Sequence, residues 1–491
     1  MFRRHWFFLA VLTAGALLRA VVQLAYVPAI LYFDSHLYLD NADELDPSGL
    51  RLIGYEALLL RWLLPFHDLA LIPAVQHLLG LGMGVAIYAL LVRRGVRRWL
   101  STLAAAPVLL DGYQLQIEQN VMSDTLFLTL VVAALVLMLW RPVPLWPAVA
   151  AAGVVLGLAT TVRLAGLALV PVAVGYVAIV GRGSRHKVIG SGLVVLGFAA
   201  PLLLYGAWYQ HVAGEFRLTG GPTKGKVLYG RTAPLADCGR LAAGDQPSYM
   251  ALMCPDSPRY AELRREWYPR YWGPDYFANW GSPAHEIDYP PGVDKYDAME
   301  RFGWQVIKNQ PLDVAGAVGR DFLKGFTPVR MDFPGDTPLE RWRFQEKYPR
   351  FPRRDEYGTV EKYGGAGPRH RPMLAAFLRD YQSVAYTSGV VFAAGFLASG
   401  AAAVGAGRRA RDSGLRAAAL LVGLTGVSSL LLAALFEFSW RYQLPSVVLA
   451  PLAGALGLTA LFCTRGSASR GHPAAEPAER HVGGRRDTGS H

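Results

Sequence analysis

Apolar runs close to 20 residues long recur along almost the whole chain, and this recurrence limits the fold more than any other feature. A helix needs roughly 20 such residues to cross a bilayer. The runs fall at about 6–30, 69–92, 99–114, 122–140, 147–162, 164–181, 188–210, 380–405, 417–436 and 446–463. The pair flanking Arg163 is short. Only 18% of the 491 residues are charged and the mean hydropathy is +0.24. Soluble domains carry about 25% charged residues. An ordinary cytosolic enzyme and a disordered chain are both excluded. The predicted fold class is an all-α polytopic membrane protein of about ten transmembrane helices with an extracytoplasmic mixed domain.

Basic clusters set the expected orientation. Arg93, Arg94, Arg97 and Arg98 form one, Arg182, Arg185, His186 and Lys187 a second, and Arg408, Arg409, Arg411 and Arg416 a third. With ten spans all fall on one face together with the basic tail, as the positive-inside rule requires. Both termini are expected in the cytoplasm of a plasma (inner) membrane protein. The net charge of +12 then belongs to cytoplasmic loops, not to nucleic-acid binding. The first run resembles a signal peptide at its start, but it is too long and lacks a small-residue cleavage site.

The expected organisation is a membrane core at 1–210 with a first outer loop at 34–68, and an extracytoplasmic domain at 211–373. Further spans at 374–463 and a disordered basic tail at 464–491 complete it. In the outer domain Gly220-Gly221-Pro222 and Tyr289-Pro290-Pro291-Gly292 read as loops and Asp313–Phe326 as a helix. Cys238 and Cys254 would face an oxidising compartment, where a disulfide is the expected pairing and two free thiols the alternative. Cys463 reads as inert packing.

The candidate chemistry gathers on the outer face. Asp34 ends the first run, and Tyr38 shares its face if the segment is helical. The following Leu52–Leu64 stretch reads as an amphipathic helix on the membrane. An acid held between a span and an interfacial helix is well placed as a general base; Asp40 and Asp43 are weaker candidates. Glu118 and Asp124 interrupt two apolar runs, where polar groups at membrane depth tend to face an interior cavity. Arg163 offers a fixed fork suited to a phosphate. Glu437, Arg441 and Tyr442 occupy the last outer turn; an aromatic belt with an ion pair is the plain reading, substrate positioning the functional one. Lys224 and Lys226 lie in a glycine-rich stretch able to hold a phosphate, without the spacing of a P-loop. The scattered acids and His285-Glu286 have no metal-ligand spacing.

Asp34-Ser35-x-x-Tyr38 after the first span, Gly54-Tyr55 before an interfacial segment, the acids of 118–124, an external block after the seventh span and Arg441-Tyr442-x-Leu444-Pro445 occur in order. Together they resemble the GT-C superfamily of polyprenyl-phosphate-dependent glycosyltransferases, across residues 1–180 and the last outer turn. Asp34-Ser35 stands where many relatives have Asp-Glu, and Tyr55-Glu56 where many have Tyr-Pro. The resemblance implies a polyprenyl-phosphate-sugar lipid donor arriving from the bilayer and a cell-envelope glycan, glycolipid or protein acceptor. It assigns catalysis to Asp34, or to Glu118 in its place, and the donor phosphate to Arg163, Arg441, Lys224 and Lys226. Tyr38, Asp124, Glu437 and Tyr442 would position substrate. Metal dependence varies in that superfamily, so a divalent cation is an open cofactor. A lipid-linked sugar transporter or flippase, and a glycan ligase using a diphosphate-linked donor, are the alternatives.

Overall fold

The computed structural model describes residues 2–49, 51–218, 221–242, 247–255, 273–279, 282–348, 355–407 and 412–462. Arg408, Arg409, Arg411, Cys463, Gly220 and the 464–491 tail, all used in the sequence reading, lie outside the described residues.

Helices occupy every long apolar run. Those of eight or more residues are α1 (Trp6–Ala25), α2 (Phe33–Asp40), α3 (Leu71–Arg93), α4 (Arg98–Leu110), α5 (Gly112–Gln119), α6 (Asp124–Leu139), α7 (Trp146–Val162), α8 (Leu169–Val180) and α9 (Gly183–Ala213). There follow α10 (Gly221–Thr232), α11 (Lys295–Asn309), α12 (Pro311–Lys324), α13 (Glu356–Tyr363), α14 (Pro372–Val384), α15 (Gly389–Ala403), α16 (Ser413–Phe436) and α17 (Leu444–Phe462). Among the described residues, five stretches are long and apolar enough to cross a membrane: α1, α3, α9, Gly414–Phe436 and Trp440–Phe462. The chain is an all-helical membrane protein. The run expected as one span at 380–405 is instead two helices, α14 and α15, bent by 46°; counted as one they make a sixth. Helices α4, α6, α7 and Leu164–Val180 are apolar but shorter.

Close helix approach holds the bundle together. Helix α9 packs along α7 and α17 along α15. A Cβ on Gly153 or Gly157 of α7 would lie 2.5 Å from the carbonyl oxygen of Val194 or Phe198 on α9. Two small residues four apart let helix backbones meet where lipid supplies no hydrophobic drive.

The 211–373 block has its own core, with Tyr229, Met253, Phe277, Met299 and Phe302 fully or nearly buried. Its described part is mainly helical, with the one short strand Arg369–His370 among the described residues. The strand Arg369–His370 pairs antiparallel with Tyr26–Val27, closing the block against the end of α1. Residues 221–226, read as a loop from their glycines, open α10. The Tyr289–Gly292 stretch is irregular, with Gly292 at φ +83°. The 313–326 helix sits at Pro311–Lys324 as α12. The 52–64 segment is a π-type turn at Glu56–Leu60 running into short helical turns, with Trp62 and Phe66 exposed and Leu60 buried. Helices α10 and α12 both lean on α16, so the block sits over one end of the bundle.

Candidate functional site

The block and the bundle enclose a cavity of about 1410 Å³. Single ligand pockets run to about 1,000 Å³, so there is room for more than one small substrate. Asp34, Tyr38, Asp124, Arg163, Lys224, Lys226, Glu437, Arg441 and Tyr442 all line it.

Local structure aims each group. The backbone N–H of Tyr32 donates to Ser35 Oγ at 2.8 Å, starting α2 and placing Asp34 in its first turn. An acid there is favoured by the helix dipole. Tyr38 follows one turn later and hydrogen-bonds Ser123 Oγ at 3.1 Å. Asp124 opens α6, Arg163 ends α7 in an extended conformation, and Arg441 sits in the 3₁₀ turn between α16 and α17.

These elements converge on one ionic network. Arg441 donates to Asp124 Oδ2 from Nε and Nη2 at 3.0 and 2.7 Å, and to Asp34 Oδ2 from Nη1 at 3.0 Å. Arg163 Nη1 reaches Asp124 Oδ1 at 3.0 Å. Arg51, which the sequence reading did not select, donates from Nη2 to Asp34 Oδ1 at 2.6 Å. Asp34, Asp124 and Arg441 are each only 5% exposed. Burial alone would raise the Asp34 pKa; Arg51 and Arg441 more than reverse this and hold it below the ordinary carboxylate value.

Lys226 donates to Asn279 Oδ1 at 2.8 Å, and no carboxylate pairs with it among the described residues. Burial, with Arg51 nearby, pushes its pKa down to about 8. Lys224 is exposed and paired with Glu300. Arg341 and Asp275, also in the lining, pair at 3.8 Å. Around Asp34 and Asp124 the four cations Arg51, Arg163, Arg441 and Lys226 give a local surplus of two positive charges, while the lining as a whole carries seven basic and six acidic side chains.

One wall carries unmet hydrogen-bonding capacity. Glu437 Oε2, Ser439 Oγ and Trp342 Nε1 are buried without a hydrogen-bond partner among the described residues. Each such group costs about 1–3 kcal/mol until something satisfies it. Burial, reinforced by Asp275 and Asp336, lifts the Glu437 pKa well above the ordinary value. The Asp336 carboxyl is itself pushed up to about 6 by burial, against the pull of Lys324.

The opposite flank is apolar, formed by Phe127, Leu128, Leu164, Leu167, Leu432 and Leu435. Leu167 and Leu435 are 45% and 48% exposed, so this flank offers accessible apolar surface.

Glu118 does not line the cavity. It is fully buried, accepting from Arg19 Nε and Nη2 at 2.8 Å each and from Gln114 Nε2 at 3.0 Å, with His77 Nδ1 at 2.8 Å. Both oxygens are saturated, which leaves no lone pair for an incoming substrate and makes Glu118 a tie between α1, α3 and α5. Asp40 and Asp43 are likewise absent from the lining. Cys238 and Cys254 are disulfide-bonded, with Cα atoms 6.0 Å apart, at the edge of the block's core. No group of three His, Cys, Asp or Glu residues able to hold a metal ion occurs among the described residues.

Fold and site together define an all-helical membrane protein with a large amphiphilic cavity, cationic at one end and apolar along one flank. Comparison of the chain with known protein families, curated proteins and solved structures gives no match.

Proposed function

We propose that the protein is a membrane glycosyltransferase that moves a sugar from a polyprenyl-phosphate donor to a cell-envelope acceptor outside the cytoplasm. The observation that carries this reading is the cavity itself: a centre with a local surplus of two positive charges, lined in the same cavity by an accessible apolar flank. A lipid-linked phosphodiester matches both features at once, its chain along Leu167 and Leu435 and its phosphate among Arg51, Arg163, Arg441 and Lys226. The donor phosphate carries one negative charge and the departing phosphate monoester approaches two. A centre with two surplus positive charges therefore favours the leaving group over the bound donor, the differential binding that lowers a barrier.

In this mechanism Asp34 takes the proton from an acceptor hydroxyl while that oxygen attacks the anomeric carbon. The carbon–oxygen bond to phosphate breaks, and its electron pair stays on the phosphate oxygen. In-line displacement inverts the anomeric centre. Trp342, Glu437 and Ser439 offer a ring face and hydrogen-bonding groups to a sugar next to the arginines. Asp124 keeps Arg163 and Arg441 in place. Lys224, paired with Glu300, lies at the periphery of the phosphate region.

The topology belongs to the same proposal: ten spans, both termini cytoplasmic and the block outside, in the plasma membrane. Two placements support it. Arg94 Nη2 bonds the Gly414 carbonyl at 2.7 Å and Arg93 stacks on Trp140, gathering basic helix ends at one face. Asp34, Asp124, Arg163 and Arg441, assigned to the other face by the runs, meet in the cavity.

A diphosphate-linked donor also fits a surplus of two charges, which keeps a glycan ligase as the second reading. Reconstituted protein should release free polyprenyl phosphate from one member of a panel of polyprenyl-phosphate sugars when a cell-envelope extract supplies the acceptor. Diphosphate release would select the ligase, and an intact donor a transporter of lipid-linked sugars.

A further inference from the structure

We infer that Arg51 is a latch on Asp34 which the donor phosphate opens, so that the base becomes competent only after donor has bound. This rests on the transferase reading and adds to it a positioning residue and an order of events.

Both oxygens of Asp34 are occupied by guanidinium groups, Oδ1 by Arg51 and Oδ2 by Arg441. A carboxylate so held is a poor proton acceptor, because protonation must give up an ion pair. The two arginines are not equivalent. Arg441 is 5% exposed and bonds two buried carboxylates, so moving it would break two buried ion pairs at once. The Arg51 side chain is 42% exposed and makes one bond to Asp34; its Nε has no partner among the described residues. Releasing Arg51 breaks one ion pair and leaves Asp34 bonded to Arg441, so this is the pair that yields.

Arg51 lines the cavity beside Lys226, which bonds Asn279 and makes no ion pair with a carboxylate among the described residues. A phosphate seated there offers Arg51 a planar, bidentate partner with more charge than Asp34 can present. The other charged and titratable groups around Asp34 are Tyr32 and Tyr38 on its own segment, Asp124 at the start of α6, Arg163 at the end of α7, Lys226 and Asp275 on the block, and Arg441. Of the two arginines bonded to Asp34, only Arg51 has a side chain exposed enough to exchange partners. Turning Arg51 onto the phosphate frees Oδ1 toward the acceptor, and the same motion adds positive charge where the leaving group forms. Empty enzyme, or enzyme holding acceptor alone, keeps its base engaged.

The test is a pair of pH profiles on reconstituted full-length protein with a polyprenyl-phosphate sugar and its acceptor. The ratio kcat/KM for donor reports Asp34 in the free enzyme, and kcat/KM for acceptor at saturating donor reports it in the donor complex. In wild type the acid limb for donor should lie at least about one pH unit below that for acceptor. In Arg51→Gln the two limbs should coincide, and donor KM should rise about tenfold or more. Arg51→Lys, which keeps the charge but not the fork, should restore part of the separation. Other groups in the cavity, Asp336 and Glu437 among them, titrate in both proteins and cancel in the comparison. Coincident limbs in wild type, or a separation that survives in Arg51→Gln, would overturn the latch while leaving the transferase intact. If Arg51→Gln does not fold, the wild-type separation and the Arg51→Lys profile decide. Wild type that releases no polyprenyl phosphate at any pH would overturn the transferase reading, and the latch with it.

Discussion

Asp34 and Asp124, ninety positions apart in the chain, share one guanidinium: Arg441 reaches Asp34 Oδ2 at 3.0 Å and Asp124 Oδ2 at 2.7 and 3.0 Å. The bond set links α2, the start of α6 and the turn between α16 and α17, so the site is also a joint of the fold. Replacing Arg441 leaves two buried carboxylates facing each other. Arg441→Gln should cost about 3–5 kcal/mol of stability. Thermal unfolding in detergent, compared with wild type, checks this; an unchanged Tm would mean that the network does not hold the three segments.

Glu118 should behave differently from Asp34. Its four hydrogen-bonding contacts are internal, and Arg19 pairs with no other acid among the described residues. Glu118→Gln should lower Tm and the yield of folded protein, while the molecules that do fold keep kcat within about threefold of wild type. A fall in kcat of a hundredfold or more at unchanged Tm would return Glu118 to the chemistry.

Much of the architecture is legible in the chain because a bilayer demands long apolar runs, and every such run carries helix. The end-to-end convergence of Asp34, Asp124, Arg163 and Arg441 is legible only as shared sidedness, since sequence gives the face and not the contact. Arg51 escaped because it lies in a segment of ordinary loop composition, and its value comes from a partner seventeen positions earlier. The same blindness made Glu118 and Asp124 look alike. A signal was present: Arg19 lies inside the first apolar run, and a charge at that depth calls for a buried acid. The break between α14 and α15 was hidden because only the end of α14 falls within the apolar run, and the chain turns at residues 385–388 without a proline.

The Lys226 charge should control donor binding at alkaline pH. With its pKa near 8, the side chain is a cation below that pH and neutral above it. Donor KM should therefore rise as pH passes upward through about 8, and the rise should vanish in Lys226→Gln, whose KM is high throughout. Titrating donor KM between pH 6.5 and 9.5 measures this (roughly 1.5 units on each side of the midpoint, enough to span the ionisation). A KM that stays flat in wild type would remove Lys226 from the phosphate region.

Glu437 is expected to act through hydrogen bonding rather than through charge, since its buried Oε2 has no partner among the described residues and burial raises its pKa. Glu437→Gln preserves shape and hydrogen bonding and should change kcat/KM by less than about threefold, whereas Glu437→Ala should reduce it by about tenfold or more. Steady-state kinetics with the preferred donor separates the two. Equal losses in both variants would mean that a charged carboxylate is required.

The most direct measurement is mass spectrometry of the lipid products formed by wild type and Asp34→Asn in parallel, with a panel of polyprenyl-phosphate sugars and a cell-envelope extract. Wild type should release free polyprenyl phosphate from one donor, and Asp34→Asn should slow that release by a hundredfold or more while the folded protein is retained. Undiminished release by Asp34→Asn would contradict the assignment of the base, and no release from any donor, with acceptors demonstrably present, would contradict glycosyl transfer itself.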